Sequence, residues 1–121
     1  MTTLDALQSG KHRGYLSTHG LTEVYSSVTR TPFKPPVHPR EALKAIEDQI
    51  LRRMNLVSLD ENEYIDVVRR AADAGWIGGR IHDIIHLQCA AKMKCDRIYT
   101  FNVRDFRAIA PIGLADKISA P

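Results

Sequence analysis

The stretch GGRIHDIIHLQCAAKMKCDRIYTFNVRDF, residues 78–106, decides how the rest of the chain is interpreted. IHDIIHLQCAAKMK has the apolar spacing of a helix, and RIYTF, rich in β-branched and aromatic residues, is a predicted strand. The polar run NVRD and a short predicted helix, RDFRAIA, follow that strand. A helix that leads into a strand and then into another helix indicates an α/β fold with a parallel sheet.

The rest of the chain continues this alternation. Predicted strands are GYLST (14–18) and NLVSL (55–59), and DKISAP at the end of the chain is a predicted edge strand. Predicted helices cover 19–30, 39–54 and 61–75, and an earlier one, LDALQSG, ends at Gly10. TPFKPPVHP, residues 31–39, holds four of the six prolines and is predicted to be a loop.

Several local signals set the limits of these helices. Pro39 suits the first turn of its helix, Asp60 and Glu63 have the spacing of a capping box, and Gly75 is a C-terminal stop signal. The helix 39–54 is expected to bury a stripe made of Ala42, Leu43, Ile46 and Ile50.

Bulk properties limit the class of protein. The 121 residues suffice for one domain, and no apolar run is long enough for a membrane helix or a signal peptide. Cys89 and Cys95 suit a reducing compartment, so we expect a cytoplasmic protein without a membrane partner. The net charge of +3 allows a nucleic-acid partner, but an ordinary solvated surface accounts for it as well.

HDIIH, residues 82–86, is one residue away from the zinc-protease pattern H-E-x-x-H. His82 and His86 share a helix face, and Cys89 lies near it. However, the acid is Asp rather than Glu, and these residues border an apolar stripe, where histidines more often pack. A His-Asp phosphohydrolase is a further alternative, but it rests on a dipeptide and requires an all-helical fold.

Oxygen ligands offer another interpretation. Glu23 lies on the helix after GYLST, Asp83 lies in the first turn of its helix, and Asn102 and Asp105 follow RIYTF. Parallel sheets place ligands at the carboxyl ends of their strands, and carboxylate and amide oxygens are ligands of Mg²⁺ or Mn²⁺. The alternative is that these acids only stabilise helix N-termini through the helix dipole. The residues alone leave both open.

Two stretches resemble the PIN domain family: YLSTHGLTEVYSSVTR (15–30) and GGRIHDIIHLQCAAKMKCDRIYTFNVRDFRAIAP (78–111). The resemblance covers about residues 4–119 and implies a three-layer α/β/α, Rossmann-like sandwich with a mainly parallel sheet. It implies a metal-dependent endoribonuclease, of which many bacterial members are toxins held inactive by an antitoxin. The expected ligands of Mg²⁺ or Mn²⁺ are Glu23, Asp83, Asp105 and Asn102, with Ser17 and Thr100 as hydrogen-bonding supports. Lys34, Arg80, Arg104 and Arg107 are expected to hold RNA phosphates.

The resemblance has one departure. The family begins with a strand that carries an Asp, and this chain has no such strand before GYLST; Asp5 is too close to take that place. The expectation is therefore a single PIN-like domain over 1–121 that lacks its first strand and one carboxylate. A mis-assigned start, a gap filled by another chain, and an inactive relative that binds protein or RNA are the alternatives. A homodimer is expected because an open strand edge pairs readily with another chain.

Overall fold

Two short pairs of parallel strands carry the fold of the computed structural model, which describes residues 14–121. Strand β1 (Gly14–Ser17) pairs with β2 (Met54–Val57), and β3 (Ile98–Tyr99) pairs with β4 (Ile118–Ser119). The first pair belongs to a unit that ends at Val57, and the second to a unit that begins at Ser58. Helices between parallel strands confirm the α/β prediction. The predicted helix ending at Gly10, with Asp5, lies outside the described residues.

The first unit places two helices after β1. Helix α1 (Thr18–Arg30) begins where the Ser17 hydroxyl accepts the Gly20 N–H at 2.8 Å. The proline-rich segment 31–38 has no regular structure, as predicted. Helix α2 (Pro39–Ile46) then begins at its proline, and the His38 ring nitrogen Nδ1 accepts the Arg40 N–H at 3.1 Å.

Helix α2 ends earlier than the sequence predicts. A π-helical turn (Glu47–Leu51) follows it, in which the Arg52 N–H donates to the Glu47 carbonyl at 3.2 Å, and β2 starts at Met54. The predicted buried stripe is also wrong in part: Ala42 and Ile46 are buried, but Leu43 is 46% exposed and Ile50 only half-buried. One residue turns an α-helix by about 100°, so Leu43 leaves the face that Ala42 occupies.

The second unit contains α3 (Glu61–Ala74), α4 (Arg80–Lys92), α5 (Val103–Ile109) and a 3₁₀ turn (Ala115–Lys117). The capping box is present: Asp60 Oδ1 accepts the Glu63 N–H at 2.8 Å, and Glu63 Oε1 accepts the Asp60 N–H at 3.0 Å. Gly75 ends α3 with a φ of +73°, a left-handed conformation that favours glycine. These two local predictions are confirmed.

The core of the second unit lies around α4. Ile84 and Leu87 are each 1% exposed, as is Ile118 on β4, and Val67 on α3 is 2% exposed. Burying one such side chain contributes about 1.5–3 kcal/mol before entropy is counted.

Strand β3 is shorter than the predicted 97–101, because only Ile98 and Tyr99 pair with β4. No helix within residues 14–121 is long and apolar enough to cross a membrane.

Candidate metal and nucleic-acid site

Asp83 lies in the first turn of α4, as the sequence predicts. Gly78 and Gly79 lead into that helix, and Gly78 has a φ of +63°, which lets the chain turn tightly before Arg80. The Asp83 side chain is half-buried and engaged in an interaction. An acid in the first turn is stabilised by the unpaired N–H groups and the positive end of the helix dipole. Asp83 is thus held at the N-terminal end of a largely buried helix.

Asp105 occupies the equivalent place in α5, where it is exposed. Asn102 precedes this helix: its N–H donates to Thr100 Oγ1 at 3.1 Å, and its carbonyl accepts the Phe106 N–H at 3.0 Å. Thr100 is itself tied to β4, because its N–H donates to the Ser119 carbonyl at 3.1 Å. Thr100 therefore sets the backbone of the turn that carries Asn102 and starts α5.

A ring contact joins the two helices that carry these acids. The His86 ring on α4 stacks on Phe106 of α5, with ring centroids 6.5 Å apart and an interplanar angle of 24°. His86 lies one turn after Asp83, and Phe106 lies next to Asp105. The first turns of α4 and α5 are consequently on helices in direct contact. The expectation that a histidine beside this apolar stripe packs is confirmed for His86.

Glu23 and Ser17 belong to the first unit. Ser17 is 7% exposed and caps α1, so it fixes the start of the helix on which Glu23 lies. Glu23 is exposed, and it takes part in an interaction of its own. Asp83 and Asp105 belong to the second unit, so the convergence of all three carboxylates stays a prediction.

The four basic residues differ in their surroundings. The Arg107 guanidinium donates to the Ile118 carbonyl at 2.8 Å in a partly buried contact, so it holds α5 against β4. Lys34, Arg80 and Arg104 are exposed. Arg104 lies beside Asp105 in the first turn of α5. Arg107 therefore has a structural contact that the sequence did not predict, whereas Arg104 presents its charge to solvent.

The comparison with known protein families agrees with these elements. The sequence model of the PIN domain matches residues 2–111. The chain belongs to the PIN domain family. This family has a three-layer α/β/α fold and a nuclease-type function, and its members generally depend on divalent metal ions. No curated protein and no solved structure gives a significant match.

The family's metal dependence can be tested against the residues present. The oxygen atoms of Asp83, Asp105 and Asn102 have the right chemistry for a hard cation. Yet within residues 14–121 no three His, Cys, Asp or Glu side chains form a group that could hold a metal ion. The described part of this PIN domain thus has suitable ligands but not an assembled site. We therefore assign the ion no step in a reaction.

The same finding bears on the zinc interpretation of HDIIH. His82, His86 and Cys89 all lie in the described part of the chain, and they do not form a metal-binding group there. His86 stacks on Phe106 instead. Burial raises the pKa of the Cys89 thiol above its ordinary value of 9.0, so Cys89 is a neutral thiol at neutral pH. Neither a zinc ligand set nor a reactive thiolate is present at this motif.

Besides the Arg107 contact, two features of the PIN domain were not predicted from the sequence. Lys92 at the end of α4 contacts Glu63, and no local pattern indicates a pairing across 29 residues. Phe101, between Thr100 and Asn102, is 90% exposed. Phe101 is the last residue of the predicted strand RIYTF, and a large aromatic residue directly before the polar run NVRD was a signal that could have singled it out.

Proposed function

We propose that this PIN domain is an endoribonuclease. The observation that supports the proposal best is the contact between α4 and α5, whose first turns carry Asp83 and Asp105. Asn102 adds an amide next to Asp105, in a turn that Thr100 stabilises. Carboxylates and an amide at the starts of two helices that contact each other suit the handling of a phosphodiester by a hard cation.

The proposed cofactor is Mg²⁺ or Mn²⁺. By the family resemblance, its ligands would be Glu23, Asp83, Asp105 and Asn102, with Ser17 and Thr100 stabilising the turns that position them. The support is the oxygen chemistry of this set, because such ligands favour hard divalent cations over zinc. The exposed side chains of Lys34, Arg80 and Arg104 would attract RNA phosphates without reading sequence. Arg107, whose guanidinium contacts β4, would add to this attraction for RNA phosphates.

The proposal extends to the cellular role. The resemblance to bacterial PIN proteins supports a toxin of a toxin–antitoxin pair, with a small protein antitoxin as its inhibitor. A homodimer is proposed as its assembly, because an open strand edge pairs readily with another chain. Two free cysteines support a cytoplasmic location. Sedimentation velocity of the purified chain tests the assembly: a concentration-dependent dimer is the expected result, and a monomer at all concentrations would contradict it.

A second candidate is a PIN relative that binds RNA or protein without cutting. The lack of a grouped set of three metal ligands in residues 14–121 favours this alternative. It predicts RNA binding that metal ions do not change and no cleavage above background.

One assay separates the two candidates. Single-stranded RNA is incubated with the chain and Mg²⁺ or Mn²⁺, with and without a chelator, and cleavage is followed on a denaturing gel. For the enzyme, the chelator and Asp83→Asn should each abolish cleavage. Asp73→Asn is the matched control, since it removes one exposed acid from α3 of the same unit. Binding without cleavage would establish the second candidate, and cleavage that survives the chelator but not His82→Ala would favour histidine chemistry.

A further inference from the structure

Phe101 is exposed in a way that packing does not explain. It is 90% exposed, whereas Phe106 on the following helix is 7% exposed and packs on His86. The backbone on both sides of Phe101 is held, because the Thr100 N–H donates to Ser119 and the Asn102 N–H donates to Thr100 Oγ1, each at 3.1 Å. A large apolar side chain is thus presented to solvent from an anchored turn.

The surroundings of Phe101 carry positive charge and hydrogen-bonding groups. The segment 94–107 contains four basic residues and two acidic ones, a net charge of 4 − 2 = +2. Asn102 and Arg104 are exposed close to it in the sequence. An exposed aromatic ring in a segment that also carries cationic and amide side chains is a combination that binds single-stranded nucleic acid, through base stacking and phosphate attraction.

We propose that Phe101 is an RNA-binding residue that stacks on an unpaired base of single-stranded RNA. This inference rests on the proposed function, because it assumes that RNA is the partner. The net positive charge of the segment 94–107 favours the phosphate backbone of RNA as the partner of Phe101. The bases of a duplex stack on each other, so they are not available to stack on the ring of Phe101.

Binding of fluorescently labelled RNA, measured by anisotropy in the presence of a chelator, tests the inference without requiring cleavage. Phe101→Ala should weaken binding of a single-stranded oligonucleotide by about 5- to 150-fold, the range expected for one stacked base. Phe101→Tyr keeps an aromatic ring and should retain most of the wild-type affinity. Ile112→Ala is the matched control, because Ile112 is as fully exposed in the same unit and lies outside the segment 94–107. Circular dichroism should show all variants folded, since Phe101 makes little buried contact.

A second probe isolates the base. An abasic oligonucleotide keeps its phosphates but has no bases to stack, so Phe101→Ala should weaken binding of the intact strand and leave binding of the abasic strand unchanged. If the wild-type chain binds no RNA, both the proposed function and this inference fail. If it binds RNA and Phe101→Ala binds equally well, only this inference fails. A Phe101→Ala variant that binds RNA normally but loses self-association would show that the residue contacts protein.

Discussion

Lys92 Nζ lies 2.7 Å from Glu63 Oε1 and 2.9 Å from the Ser58 carbonyl oxygen. The contact joins the last turn of α4 to the first turn of α3, and the same Glu63 oxygen completes the capping box by accepting the Asp60 N–H. One carboxylate therefore serves both a helix cap and an ion pair. This arrangement ties the end of the helix that carries Asp83 to the start of the second unit.

Glu63→Gln should lower the thermal stability of the chain, and the effect should depend on pH. The Asp60 N–H, together with Lys92, lowers the pKa of Glu63 below its ordinary value of 4.5. The stabilisation is thus present above pH 4.5 and is lost as the pH falls through the lowered pKa. Thermal unfolding of wild type and variant should differ near neutral pH and converge in acid. Glu61→Gln, in the same helix turn, should show no such convergence.

The same pair should respond to alkali. Glu63 raises the pKa of Lys92 above its ordinary value of 10.5. Because the folded-state pKa is raised, the contribution of Lys92 is complete below pH 10.5 and disappears as the pH rises through the raised value. Lys92→Met should unfold at a lower temperature than wild type at neutral pH, with the difference shrinking in strong alkali. A difference that stays constant would show that packing of the side-chain stem, rather than its charge, is responsible.

The helix cap at Asp60 can be tested separately. Asp60→Ala removes the acceptor of the Glu63 N–H and should cost about 1 kcal/mol of unfolding free energy, within the usual range for N-caps. Asp60→Asn keeps a good cap and should cost much less. Urea denaturation followed by circular dichroism measures both. Equal losses in the two variants would mean that the carboxylate charge matters and the cap does not.

His86 should prove structural rather than chemical. His86→Ala removes the ring that stacks on Phe106, and the lost ring contact should cost about 0.5–1.5 kcal/mol in addition to the lost buried area. His86→Phe keeps an aromatic ring and should recover much of the stability. If cleavage is observed, His86→Phe should retain it. Loss of cleavage in a stable His86→Phe variant would show that His86 takes part in the reaction.

The two arginines of α5 should have different roles, Arg104 in RNA binding and Arg107 in stability. Arg104→Gln should leave stability unchanged and weaken RNA binding, lowering the slope of log affinity against log salt by about 0.7 for one lost phosphate contact on a single strand. Arg107→Gln should destabilise the chain, because it removes the hydrogen bond from the guanidinium to the Ile118 carbonyl. Salt titrations and denaturation curves on both variants provide the comparison. An unfolding penalty for Arg104→Gln would contradict this division.

Local signals in the sequence predicted local structure well. The capping box, the proline at the start of α2 and the glycine at the end of α3 each depend on atoms a few residues apart, so the pattern contains the whole interaction. The placement of Asp83 and Asp105 in first turns was predictable for the same reason. The end of α2 was not, because the π-helical turn has no comparable sequence signal.

The sequence by itself determined the order of helices and strands, the helix starts, the end of α3 at Gly75, and membership of the PIN domain family. Only the tertiary structure decided that Lys92 pairs with Glu63, that His86 stacks on Phe106 and that Arg107 binds β4. It also decided that Phe101 remains exposed while Phe106 is buried. The physical reason is that caps and turns are satisfied by neighbouring backbone atoms, whereas these contacts depend on which helix faces pack together.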